Sequence, residues 1–297
     1  MTSPDAPELL DSLEDAERVR ERTLASLAEV GRIVAVMSGK GGVGKSAVAT
    51  QLAACLGHDG RSVGLLDADL HGPSAAKMLG LRGQPIRVGG DGQLRPAVGP
   101  GGIRVQSMDF FLQGNQALDW DGAAGEGAML RSAMEQSALA DLIGRTAWGE
   151  LDTLVVDLAP GSDRLPALRR WLPDTVVAVA VTIPSEVSLL AVERSLRRAH
   201  EARIPVLGLV ENFASVVCDA CGHESALFQE APAATLAHKM GIPLLAQIPF
   251  DAALARAADR GDLYAVGAGT GTPVGRAFRD LAERVLGYAA AAEGADQ

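Results

Sequence analysis

The sequence predicts an α/β fold: a mostly parallel, doubly wound sheet flanked by helices, with a small β-hairpin insertion. Three observations carry this. Apolar runs at 33–37, 63–66, 154–156, 175–182, 206–210 and 244–248 alternate with stretches of helical character. The first run leads at once into Gly39-Lys40-Gly41-Gly42-Val43-Gly44-Lys45-Ser46 and then a helix. Two further runs end in aspartates, Asp67 and Asp157, where the carboxyl ends of parallel strands open on a ligand crevice.

The strand Ile33–Met37, its glycine loop and the helix over about 45–57 form a P-loop, so the fold is read as that of a P-loop NTPase. Glycines 39, 41, 42 and 44 let backbone N–H groups converge on phosphate oxygens of ATP. Lys45 reaches the β- and γ-phosphates. Ser46 opens the helix, where its hydroxyl can ligate Mg²⁺, and Val43 and Ala47 complete the contact segment. Lys40 stands out because only four of the 27 Lys and Arg residues are lysine, and two of those four lie inside this loop. Cys55, among Leu52, Ala53, Ala54 and Leu56, reads as a small core residue.

The strand at 63–66 delivers Asp67-Ala68-Asp69. Asp69 is assigned to the attacking water and to a Mg²⁺-bound water, Asp67 to its support and His71 to a structural turn. Twelve glycines between Gly80 and Gly127 mark a hairpin insertion, a strand and a mobile loop, and a helix follows over about 126–143. Leu154–Leu158 presents Asp157 for Mg²⁺ through water, and Gly161 offers an N–H near the γ-phosphate. After a helix over about 187–202, the strand 206–210 ends at Asn212, whose amide can offer a donor and an acceptor to an adenine edge. Cys218-Asp219-Ala220-Cys221 then lies in a loop. Two thiolates at this spacing can grip one metal, yet two chains are needed to complete four-coordination, around a [4Fe–4S] cluster or Zn²⁺, with His223 a possible third ligand. Helices near 231–240 and 273–288 close the domain.

The domain reading is an N-terminal helical extension over 1–30, a nucleotide-binding domain over 31–288 and a disordered tail over 289–297. Net charge is −10 and no Lys/Arg block occurs, which argues against nucleic acid as a partner. No apolar run approaches about 18 residues, so no membrane partner is expected and the location is read as cytoplasmic.

Lys40 after the first glycine resembles the deviant P-loop of the MinD/ParA/nitrogenase-iron-protein superfamily, in which that lysine crosses to a partner's nucleotide. With DADLHGPS, VVDLAPG, VENF, CDAC and LLAQIPFD in this order, residues 31–288 resemble the Mrp/ApbC family of iron–sulfur cluster carrier ATPases. The resemblance implies a homodimer, slow ATP hydrolysis, a labile [4Fe–4S] cluster bridged by Cys218 and Cys221 of two chains, and apo iron–sulfur proteins as recipients. It carries catalytic roles to Lys40, Lys45 and Asp69. Where that family has Trp-Arg-Gly-Pro-Met, this chain has Trp120-Asp121-Gly122, and Ala159 and Ser162-Asp163-Arg164 depart from its switch II run. A positioning ATPase without a cluster and a zinc-stapled dimeric ATPase stay open as alternatives.

Overall fold

The computed structural model describes residues 6–111, 128–217, 221, 223–228 and 233–295. The chain runs α1 (Ala6–Ser26), β1 (Ile33–Ser38), α2 (Lys45–His58), β2 (Val63–Ala68), α3 (Ala75–Met78), β3 (Arg87–Val88), β4 (Leu94–Arg95), β5 (Ala97–Val98), β6 (Arg104–Ser107) and α4 (Ala128–Arg145). It continues with β7 (Thr153–Leu158), α5 (Arg164–Arg169), β8 (Val176–Thr182), α6 (Glu186–Glu201), β9 (Val206–Val217), β10 (Glu224–Ala226), α7 (Ala233–Met240), β11 (Leu244–Phe250), α8 (Ala252–Arg260), α9 (Leu263–Val266) and α10 (Pro273–Ala295).

Nine strands form one sheet in the order β10-β9-β8-β1-β7-β2-β6-β5, with β11 also paired to β9. The central pairs are parallel; β5 and β10 add antiparallel edges. Period-two alternation explains why the central strands read as unbroken apolar runs. Val34 and Val36 enter one core with α2 and α10, whereas Ile33, Ala35 and Met37 enter the other with α4, α6 and α7. Both faces are thus covered, as doubly wound topology requires. The expected hairpin insertion is β3 and β4, paired antiparallel outside the main sheet.

Two boundaries differ from the sequence reading. Helix α1 stops at Ser26 and is packed on the body: Thr23 Oγ1 donates to the Ala140 carbonyl and Ser26 Oγ to that of Ile143, each at 3.0 Å. The tail expected to be disordered from residue 289 is helical through Ala295, because Ala289–Ala292 is a run of the strongest helix former. The CDAC motif, expected in a loop, lies between β9 and β10, which pair with Val217 opposite Glu224, and its residues 218–220 lie outside the described residues. The Trp120-Asp121-Gly122 departure lies outside the described residues. No described helix is long and apolar enough to cross a membrane.

Candidate nucleotide and metal site

The P-loop leaves the carboxyl end of β1 and enters α2 at Lys45. Gly42 and Gly44 hold φ of +79° and +78°, a left-handed backbone that glycine adopts without penalty. Nothing lies within 4 Å of where a Gly42 side chain would start, so its face of the loop is open. Gly44 is closed on the other side by Asn212, and a Cβ there would strike the Asn212 amide nitrogen. Val43 is buried, Ser46 and Ala47 sit half-buried in the first turn of α2, and Gly41 is exposed. The fourteen-residue helix α2 directs its N-terminal N–H groups toward this loop, so the backbone fits a polyphosphate.

Gly39 has a packing duty beside the one expected. A Cβ at this position would collide with the Ala191 carbonyl and the Val192 nitrogen, so Gly39 lets the loop lie against the backbone of α6. Lys40 is half-buried, its carbonyl accepts from Ser38 Oγ at 3.0 Å, and among the described residues no carboxylate pairs with its ammonium.

Lys45 Nζ pairs with Asp157 Oδ1 inside the protein, where the two side chains are 6% and 0% exposed. Strand register explains the approach: Asp157 lies beside Val36 on β1 and beside Asp67 on β2. Two buried carboxylates therefore share one lysine. Burial pushes Asp67 up to about 7, and the neighbouring Asp157 charge adds to that. Asp157 is likewise raised by burial, with Lys45 opposing and Asp69 adding to the rise. Asp157 Oδ2 is buried with no hydrogen-bond partner among the described residues. An unpartnered carboxylate oxygen near the Ser46 hydroxyl is a hard-oxygen donor set that fits Mg²⁺.

The other expected residues take defined places. Asp67 Oδ2 accepts from the Ser74 and Ala75 N–H groups at 2.8 and 2.9 Å, which anchors the start of α3. Asp69 is half-buried, and its Oδ1 accepts from His71 N at 3.3 Å and Gly72 N at 3.1 Å, closing a tight turn. The Gly161 N–H, expected to face the γ-phosphate, donates to the Ser38 carbonyl at 3.0 Å. Asn212 is buried and its Nδ2 donates one of its two hydrogens to the Val43 carbonyl at 2.9 Å, so part of the expected donor capacity is already engaged. Cys55 is buried, its thiol pushed up to about 12 by that burial first and by Asp59 second, as befits a core residue. Cys221 is exposed and unpaired, and Cys218 lies outside the described residues.

Sequence reasoning missed Glu135. This α4 carboxylate meets His71 Nε2 at 2.9 Å and Arg164 at 2.8 Å. Burial raises its pKa, but the hydrogen bonds from Arg164 and His71 prevail and hold it below the usual carboxylate range. The signal was a lone acid on the buried side of a predicted helix, at Glu135 beside Leu139 and Leu142. A cavity of about 690 Å³ opens beside it, lined by Gly39, Pro160, Gly161, Arg164 and Arg194.

A P-loop with a second lysine, two strand-end carboxylates and a nine-stranded parallel-centred sheet restrict the fold to one class of nucleotide-binding proteins. The ParA description, NUBPL iron-transfer P-loop NTPase, matches residues 29–286. The chain belongs to this family. Among relatives of this P-loop NTPase, an iron-sulfur cluster carrier protein of Saccharolobus solfataricus is 38% identical over 255 residues, covering 85% of this chain and 82% of that protein. A cytosolic Fe-S cluster assembly factor NUBP1 homolog of Brugia malayi is also 38% identical, over 80% of this chain and 76% of its own. A nucleotide-binding protein of Archaeoglobus fulgidus, solved in complex with ADP, superposes with TM-score 0.68 at 35% identity, covering 82% and 92% of the two chains. The cell division ATPase MinD of Pyrococcus furiosus, at 22% identity and TM-score 0.60 over 87% of this chain and 99% of that one, shares the fold.

Proposed function

We propose that this protein is a cytoplasmic ATPase that carries a labile [4Fe–4S] cluster between two copies of itself and passes it to apo-proteins. The observation that supports this most is the geometry of β9. One strand carries Asn212, against the P-loop, and ends at Val217, directly before Cys218 in the sequence. Nucleotide and cargo sites are therefore joined by a single element. The names of the relatives described above supply the identity of the cargo.

In this reading the amides of Gly41, Gly42 and Gly44 cradle the phosphates, and Lys45 leaves Asp157 to meet them. Lys40 reaches the nucleotide of the second copy, where a cation stabilises charge on the transferring phosphoryl group. Asp69 orients the attacking water. Ser46, Asp69 and Asp157 would hold Mg²⁺, directly or through water, which neutralises phosphate charge when bound. Asn212 Oδ1 accepts from the adenine amine. Hydrolysis is slow because the Asp69 carboxylate is partly committed to its own turn.

Cys218 and Cys221 supply half of the four thiolates that a [4Fe–4S] cluster takes, so the cargo site is complete only in a homodimer. Anaerobic reconstitution tests this. We expect about four iron and four sulfide per two chains, with the broad visible absorption of a cluster. Cys218→Ala/Cys221→Ala should hold only background iron. Equal iron and sulfide in that variant, or zinc in place of iron in protein purified without oxygen, would overturn the cluster reading and leave the nucleotide reading standing.

A further inference from the structure

Glu135 sits where the turn after β2 and the start of α5 meet beside the nucleotide site. Its side chain is 11% exposed, and its two oxygens are divided between those two segments. Oε1 accepts from His71 Nε2, and Oε2 accepts from the Arg164 guanidinium. An ionised carboxylate only accepts, so His71 carries its proton on Nε2. Each partner is tied to a functional position. His71 lies in the turn closed by Asp69 Oδ1, and Arg164 begins α5, just after the Gly161 N–H that bonds Ser38 at the base of the P-loop.

The geometry points to Glu135 as a positioning residue for hydrolysis, which ties the Asp69 loop to the loop after Asp157 so that both take up one arrangement around the γ-phosphate. This rests on the reading that the chain hydrolyses ATP. Two loops held separately would each lose conformational freedom at the moment of reaction. One carboxylate on a helix makes that ordering common to both, through two charge-assisted bonds of nearly ideal length. The platform is firm, since α4 is held in turn by Thr23 and Ser26 of α1. Arg164 also lines the cavity beside Gly39, so the tie spans one wall of the space next to the P-loop.

The test compares Glu135→Gln, His71→Asn and Arg164→Met with the parent, and with the two double variants that include Glu135→Gln. Glu135→Gln should lower turnover at saturating MgATP about tenfold, with nucleotide affinity changed less than about threefold. The double variants should fall no lower than Glu135→Gln alone, because all three residues act through one joint. Amide hydrogen exchange should quicken together over 69–74 and 160–164 in Glu135→Gln without nucleotide. Parent-level turnover in Glu135→Gln, additive losses in the double variants, or exchange quickening in one loop only would overturn the proposal. His71→Asn, at a half-exposed ring, gives the same decision if Glu135→Gln does not fold. If the parent itself fails to hydrolyse ATP, the ATPase reading falls. The exchange arm then still decides whether Glu135 joins the loops.

Discussion

At the scale of single residues, the buried Lys45–Asp157 pair has two consequences that can be separated. Lys45→Ala removes the cation that meets the phosphates, and ATP binding should be lost in a fluorescent-nucleotide titration. It also strands a buried aspartate, which should cost about 3 kcal/mol in denaturant unfolding at neutral pH. That second loss should shrink in acid, where Asp157 takes up a proton. Asp69→Ala, by contrast, should bind ATP normally and hydrolyse it more slowly, and equal hydrolysis in variant and parent would remove the role given to Asp69. Asp67 gives a pH signature. Its folded value of about 7 lies above its ordinary 3.8, so the folded state holds the proton more tightly. The stability this contributes is complete below about pH 4 and is lost as pH rises through about 7. Thermal scans of Asp67→Asn should therefore show the parent falling behind the variant across that interval.

At the scale of elements, Gly39 shows how a loop is set by the helix beside it. Gly39→Ala would push the P-loop away from the backbone of α6, so a loss of about 1–3 kcal/mol is expected together with weakened nucleotide binding. Thermal denaturation with and without ATP measures both. The same position marks how far the sequence could be read. The P-loop, both strand-end aspartates and the doubly wound sheet were legible because each rests on local spacing: glycines in the loop, apolar runs in the strands. The α6 contact at Gly39, the turning of Gly161 toward Ser38 and the engagement of Asn212 with Val43 were not, because each joins elements far apart in the chain. Glu135 was hidden for the same reason, its partners lying on two other loops. The helical end of α10 was legible in principle from its four alanines, but it was outweighed by the expectation that termini fray.

For the whole molecule, the central inference is that nucleotide and cargo both call for a second copy. If MgATP binds the folded dimer, it should raise the melting temperature, and the rise should grow with protein concentration by mass action. A rise independent of protein concentration would argue for binding to single chains. Strand β9 adds a consequence for how such a protein could be watched. It passes from Asn212 at the P-loop to Val217, the residue before Cys218, through Phe213, a non-glycine residue at φ +56° whose ring packs edge-on against Phe250 at 5.6 Å. Backbone of this kind costs a non-glycine residue about 1–3 kcal/mol and persists only where the surrounding packing enforces it. In the proposed carrier, five residues of one strand separate the Asn212 contact at the phosphate cradle from Cys218. Titrating the reconstituted protein with MgATP while following its visible absorption tests whether the two sites communicate along that strand; a spectrum indifferent to MgATP would argue that they do not.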